Sequence, residues 1–72
     1  MSSTIQLVPG GIATIKTDNS SAARFVELDD SGVPVGDYTD VPSNSAVQIG
    51  PKTTISRWLI EGTGGGVEVA IT

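Results

Sequence analysis

The chain has 72 residues and a net charge of −4, and it contains neither cysteine nor histidine. This length fits a single domain over residues 1–72, and the composition excludes disulfides, the usual structural zinc sites and histidine-based catalysis. The four basic residues are dispersed, so we expect no basic patch for nucleic acid. A domain this small buries little apolar surface. We therefore expect it to oligomerise or to dock onto a larger surface.

Short runs rich in valine, isoleucine and threonine follow one another along the chain, separated by turns rich in glycine, proline and serine. Such runs favour strands because β-branched side chains pack well on a pleated surface. About six to eight short strands predict an all-β fold, either a small antiparallel sandwich or a jelly-roll-like barrel. The predicted strands cover residues 4–8, 12–17, 24–28, 33–35, 38–41, 46–49, 53–61 and 67–72.

Two segments leave the choice between helix and strand open. Residues 20–29 also fit a short capped helix that begins at a serine, and residues 53–61 place several apolar side chains at helical spacing. The β-branched content and the all-β surroundings favour strands in both segments. Residues 1–3 are predicted to form a flexible N-terminal arm.

The chain offers little catalytic chemistry. No Gly-x-Ser-x-Gly motif is present to activate a serine, so we expect no enzyme, no catalytic residue and no cofactor. The acidic stretch 29–40 has the length of an EF-hand loop, but Val33 and Pro34 stand where an oxygen ligand and a glycine are needed. A looser calcium site at Asp37 and Asp40 remains an open alternative, with solvated turn residues as the simpler interpretation.

The glycine run 62–66 raises the question of a phosphate-binding loop. No lysine follows Gly66, and the next segment reads as a strand rather than the helix that phosphate loops require. The run is therefore predicted to be a hairpin turn between the strands at 53–61 and 67–72. Its small residues would let a neighbouring subunit approach closely.

No apolar stretch approaches the ~20 residues that a membrane-spanning helix needs. The N-terminus also lacks the basic start and apolar run of a signal peptide. We expect synthesis and residence in a cytoplasm, at least until assembly into something larger, and no membrane partner.

Two long stretches, IQLVPGGIATIKTDNSSAARFVEL and SAVQIGPKTTISRWLIEGTGGGVEVAIT, share a distinctive order of features. A Gly-Pro follows an alternating strand, an Arg-Trp-Leu-Ile-Glu strand comes next, and a glycine run precedes a final Val-x-Val-x-Ile. In this order the chain resembles small ancillary structural proteins of tailed bacteriophages, of the capsid decoration or cement type. The resemblance implies a single β-sandwich or jelly roll without a catalytic motif.

The same resemblance implies residence in the virion, with the major capsid protein or another virion protein as partner. It implies a decoration protein that stabilises contacts between major capsid subunits, as a homo-oligomer with a trimer favoured. The alternative is a tail, spike, or receptor- or carbohydrate-binding β module of a virion.

Three kinds of residue are candidates for an interface: the polar N-terminal residues, the aromatic residues and the glycines of the turn. An edge strand near residues 5–8 could also be completed by a partner's strand. Aromatic side chains concentrate interface energy, although each of these three has the core as its competing location. The candidates are Ser2, Ser3, Thr4, Phe25, Tyr38, Trp58, Gly64 and Gly65.

Overall fold

The computed structural model describes all 72 residues and contains seven strands and no helix. The strands lie in two antiparallel sheets, and the predicted all-β sandwich is confirmed. In chain order the strands are β1 (Ser2–Leu7), β2 (Ala13–Thr17), β3 (Ala22–Leu28), β4 (Pro34–Val41), β5 (Ala46–Ile49), β6 (Ser56–Thr63) and β7 (Val67–Ile71).

One sheet has four strands in the order β1-β6-β3-β4, and the other has three in the order β5-β2-β7. Only β3 and β4 are neighbours both in sequence and in one sheet, so every other connection crosses between the sheets. The sandwich therefore leaves four edge strands: β1 and β4 on the larger sheet, β5 and β7 on the smaller one.

The core lies between the sheets and is built by alternation along the strands. Ile15 in β2 and Ile60 in β6 are fully buried, and each sits among apolar neighbours of the facing sheet. Phe25 and Trp58 pack edge to face, with ring centroids 5.9 Å apart. The indole Nε1–H of Trp58 donates to the Ser56 hydroxyl at 2.8 Å, which satisfies its buried donor.

The two ambiguous segments form strands. Residues 22–28 make β3, and the alternative capped helix is excluded because this segment pairs with β4 and β6 on its two sides. In the second segment the strand begins only at Ser56. The pieces predicted at 33–35 and 38–41 are one strand, β4, interrupted by Gly36 at a φ of 82°.

The glycine run does not form the predicted hairpin. Strands β6 and β7, on either side of it, belong to different sheets, so the run carries the chain across the sandwich. The alternation of apolar residues after the glycine run predicts a strand at 67–72. It does not specify which of the two sheets that strand joins. The hairpin prediction was wrong for this reason.

The N-terminal residues do not form the predicted arm. Ser2 and Ser3 lie in β1, in register with Glu61 and Ile60 of β6. Backbone pairing holds them in the sheet, and it does not depend on their polar side chains.

With no helix in the fold, the chain has none with the length and apolarity to cross a membrane.

Candidate interaction surface

The free edge of β1 is the first candidate surface, and its backbone pattern follows from one residue pair. The Met1 amine donates to the Gly62 carbonyl at 2.8 Å, and the Gly62 N–H donates to the Met1 carbonyl at 2.8 Å. In an antiparallel ladder such doubly bonded pairs alternate with pairs that share no hydrogen bond. By this alternation, Ser3, Ile5 and Leu7 bond to β6.

The remaining residues of β1 direct their N–H and C=O groups away from the sheet. These residues are Ser2, Thr4 and Gln6, and their side chains are exposed on the outer face of the four-stranded sheet. Two of the candidate residues, Ser2 and Thr4, are therefore free for a partner. The third, Ser3, is half-buried and already paired with β6.

The opposite edge strand, β4, is obstructed. Its first residue is Pro34, which has no N–H, and Gly36 departs from strand geometry. The register with β3 also shifts, so that the three residues from Gly36 to Tyr38 lie opposite the single residue Val26 of β3. Bulges, prolines and charges of this kind prevent another strand from adding to an edge.

Tyr38, the third aromatic candidate, lies half-buried on β4 and is held by a charged pair. The guanidinium carbon of Arg24 lies 3.9 Å from the centre of the Tyr38 ring, a cation–π contact. The same guanidinium bonds to Oε1 of Glu61 through Nε at 2.9 Å and Nη2 at 2.8 Å. These contacts tie β4 to β3 and β6 across the outer face of the sheet.

A small apolar area accompanies this cluster. Val26 is 2% exposed and lies on the outer face of the sheet. It is in register with the half-buried Leu59 of β6, which is in turn in register with Thr4 of β1. A buried valine on an outer face must be covered by neighbouring side chains of that face. The outer face is therefore partly apolar between its β1 and β4 edges.

The other two aromatic candidates belong to the core. Phe25 is 7% exposed and Trp58 is 8% exposed. The Lys52 amine lies 5.4 Å from the Trp58 ring centre and 3.6 Å from Glu27, and so covers the Trp58 end of the core. Because Phe25 and Trp58 are buried between the two sheets as part of the core, neither ring is free to anchor a partner.

The two candidate glycines have different surroundings. A side chain at Gly64 would collide with the chain's own Ser20 carbonyl at 2.7 Å and Ser21 hydroxyl at 2.6 Å. Gly64 is therefore needed for a close contact within the chain on its Cβ side, although the residue itself is exposed. Gly65 has open space on its Cβ side, so nothing in the chain obstructs a close approach by a partner there.

Asp18 organises the same corner of the fold. Its side chain accepts hydrogen bonds from the Ser20 N–H at 3.0 Å and the Ser20 hydroxyl at 3.2 Å, and the Gly66 N–H bonds to the Ser21 hydroxyl at 2.8 Å. The Ser21 hydroxyl and then the Ser20 backbone N–H lower the pKa of Asp18 below its ordinary value. A side chain at Gly66 would overlap the Asp18 carboxylate. A residue with a Cβ at this position therefore requires the exposed Asp18 side chain to move.

The possible calcium site near Asp37 and Asp40 gains no further ligands. No group of three or more acidic, histidine or cysteine side chains comes together in the chain. Asp40 lies instead in register with Arg24 on the outer face.

Comparison of the chain with protein-family models, with curated proteins and with solved structures finds no match.

Sequence reasoning missed the cluster of Arg24, Tyr38 and Glu61. Arg24 and Glu61 are 37 residues apart, and only the pairing register of β3 with β6 brings them together. The difference in composition between β1 and β4 is readable from the sequence, whereas their positions as the two edges of one sheet follow only from the strand order. Strand β1 has no proline and no charged side chain, whereas β4 contains Pro34 and two aspartates.

Proposed function

We propose that the chain is a non-enzymatic structural protein of a bacteriophage virion, a capsid decoration protein that stabilises contacts between major capsid subunits. The observation that carries the proposal is the small core combined with the unobstructed edge of β1. Only 14 of 72 residues are buried, so the domain gains stability when a further surface covers it. The resemblance to phage decoration proteins supplies the biological setting.

The surface chemistry supports a protein partner. The outer face of the four-stranded sheet combines exposed β1 residues, the half-buried Leu59 and the ordered Arg24–Tyr38 contact. Polar hydrogen-bonding groups around a small apolar centre are typical of protein interfaces. Because the acidic chain carries no basic patch, it suits the outside of a capsid better than its DNA-filled interior.

Purified particles of the phage that encodes the chain test this proposal. Quantitative mass spectrometry should find the chain in many copies, in a fixed ratio to the major capsid protein. Deleting its gene should lower the temperature at which particles release DNA, and supplying the wild-type chain should restore that temperature. Particles that lack the chain would contradict the proposal.

A receptor- or carbohydrate-binding module of a tail or spike is the second candidate, favoured by Tyr38. It is the one aromatic residue outside the core, and its ring could stack on a sugar. A glycan screen should then show a ligand that Tyr38→Ala loses and Tyr38→Phe retains. Identical glycan profiles for the wild type and Tyr38→Ala would remove this alternative.

A further inference from the structure

We infer that β1 pairs with β1 of a second copy of the same chain, antiparallel and about a two-fold axis, with Thr4 opposite Thr4. The two four-stranded sheets would then become one continuous sheet of about eight strands. This inference rests on the geometry of the edge and does not depend on a role in the virion. It predicts a two-fold dimer, whereas the resemblance implies a trimer.

The backbone of β1 complements itself in this register. Ser2, Thr4 and Gln6 direct their N–H and C=O groups outward, spaced two residues apart. When two copies run antiparallel with Thr4 opposite Thr4, Ser2 faces Gln6 at both ends. Each of these facing pairs exchanges two hydrogen bonds, so the interface gains about six backbone hydrogen bonds.

The side chains of β1 permit this approach. None is charged, so the pairing brings no like charges together across the new strand boundary even though each chain carries a net charge of −4. On the inner side, the half-buried Ile5 of each copy would lie beside Ser3 of the other. The partner strand would thus cover apolar surface that the monomer leaves partly in water.

The other edges are less suited to the same contact. Strand β4 is obstructed by Pro34 and by the shifted register around Gly36. Strand β5 has only four residues, and β7 carries Glu68 at its second position. Because pairing of β1 with itself uses one surface twice, the assembly closes at two chains and does not extend into a fibre.

The expected dimer is weak. A single pair of strands buries less area than the roughly 1,600 Å² of a standard protein interface. We therefore expect a monomer–dimer equilibrium in the micromolar range, visible by analytical ultracentrifugation of the purified chain. A monomer at all concentrations up to millimolar would overturn the inference, and so would a trimer.

Cysteine cross-linking tests the register, because the natural chain contains no cysteine. In Thr4→Cys, the two thiols of a dimer would lie on directly opposed residues with Cα atoms about 5.5 Å apart. In the control Ser2→Cys, the two thiols would lie about 14 Å apart, since each faces Gln6 of the partner. A short bismaleimide should therefore cross-link Thr4→Cys at least tenfold faster than Ser2→Cys. Equal rates would overturn the assigned register.

A second variant pair tests the backbone directly. Thr4→Pro removes an N–H that points outward, and it leaves the ladder between β1 and β6 intact. Thr4→Val keeps that N–H and removes only the hydroxyl. Thr4→Pro should raise the dissociation constant at least tenfold, whereas Thr4→Val should leave it within about threefold. Equal dissociation constants for Thr4→Pro and the wild type would show that another surface mediates dimerisation.

Discussion

The two edge strands of the four-stranded sheet differ in how readily another strand could pair with them. Strand β1 is an uncharged six-residue strand with a regular ladder to β6, and its outward backbone groups are unobstructed. Strand β4 is longer, but it carries a proline, a glycine at positive φ, a shifted register and two aspartates. Both are edges of one sheet in one solvent, so the difference lies in their residues and backbone geometry alone. We interpret β4 as protected from strand addition and β1 as available for it.

The largest effect is expected from proline placed on the two sides of β1. Ile5→Pro removes an N–H that bonds to β6 and a half-buried apolar side chain, so it should lower the free energy of unfolding by about 3 kcal/mol. Thr4→Pro, one residue away, should cost less than about 1 kcal/mol. Urea denaturation followed by Trp58 fluorescence measures both. Equal costs would mean that the alternation assigned to β1 is wrong.

The protection of β4 depends on the backbone at Gly36. Its φ of 82° disfavours any residue with a Cβ, so Gly36→Ala should destabilise the fold by about 1–2 kcal/mol. Gly65→Ala is the matched control, because Gly65 has open space and no positive φ, and it should change stability by less than about 0.5 kcal/mol. Thermal unfolding of the two variants decides the point. A neutral Gly36→Ala would indicate that β4 can adopt a regular edge.

A smaller effect is expected where Tyr38 anchors β4 to the sheet. A double-mutant cycle of Arg24→Ala with Tyr38→Leu should give a coupling energy of about 0.5 kcal/mol, typical of an exposed cation–π contact. The same cycle with Arg57→Ala in place of Arg24→Ala should give almost none. Similar coupling in both cycles would show that the Arg24–Tyr38 contact is not specific.

The smallest effect concerns Asp18, at the corner where the glycine run crosses between the sheets. Its pKa is lower in the folded chain than the ordinary value of 3.8, so its contribution to stability is present above that value. The contribution is lost as pH falls through the folded pKa. Between pH 5 and strongly acidic conditions, the wild type should therefore lose more stability than Asp18→Asn, while dimerisation changes equally in both. Parallel stability curves would contradict the assigned hydrogen bonds.

The sequence predicts the strands of this fold better than their arrangement. Alternation and turn residues predicted eight runs that overlap all seven strands, with two of the runs forming the single strand β4, because each of these signals is local. The sheet that β7 joins is not local information, so the glycine run was taken for a hairpin. The N-terminal Ser2 and Ser3 looked like an arm because their side chains are polar, although their pairing depends on the backbone of β6.

The interaction surface was predictable to a similar extent. The polar, uncharged character of residues 2–4 marked them as candidates, and Ser2 and Thr4 do lie free on an edge. Phe25 and Trp58 could not be separated from Tyr38 by residue type alone. Their burial depends on which face of the sheet each occupies, and that follows from long-range register.

Amide hydrogen exchange, measured by NMR at two protein concentrations, tests the contrast between the edges most directly. The outward N–H groups of Thr4 and Gln6 should exchange fast in dilute solution and gain at least tenfold protection when the chain is concentrated. By the same alternation, Tyr38 and Asp40 present the outward N–H groups of β4, and they should exchange equally fast at both concentrations. If Thr4 and Gln6 gain no protection, or if the β4 amides gain as much, the account of the two edges is contradicted.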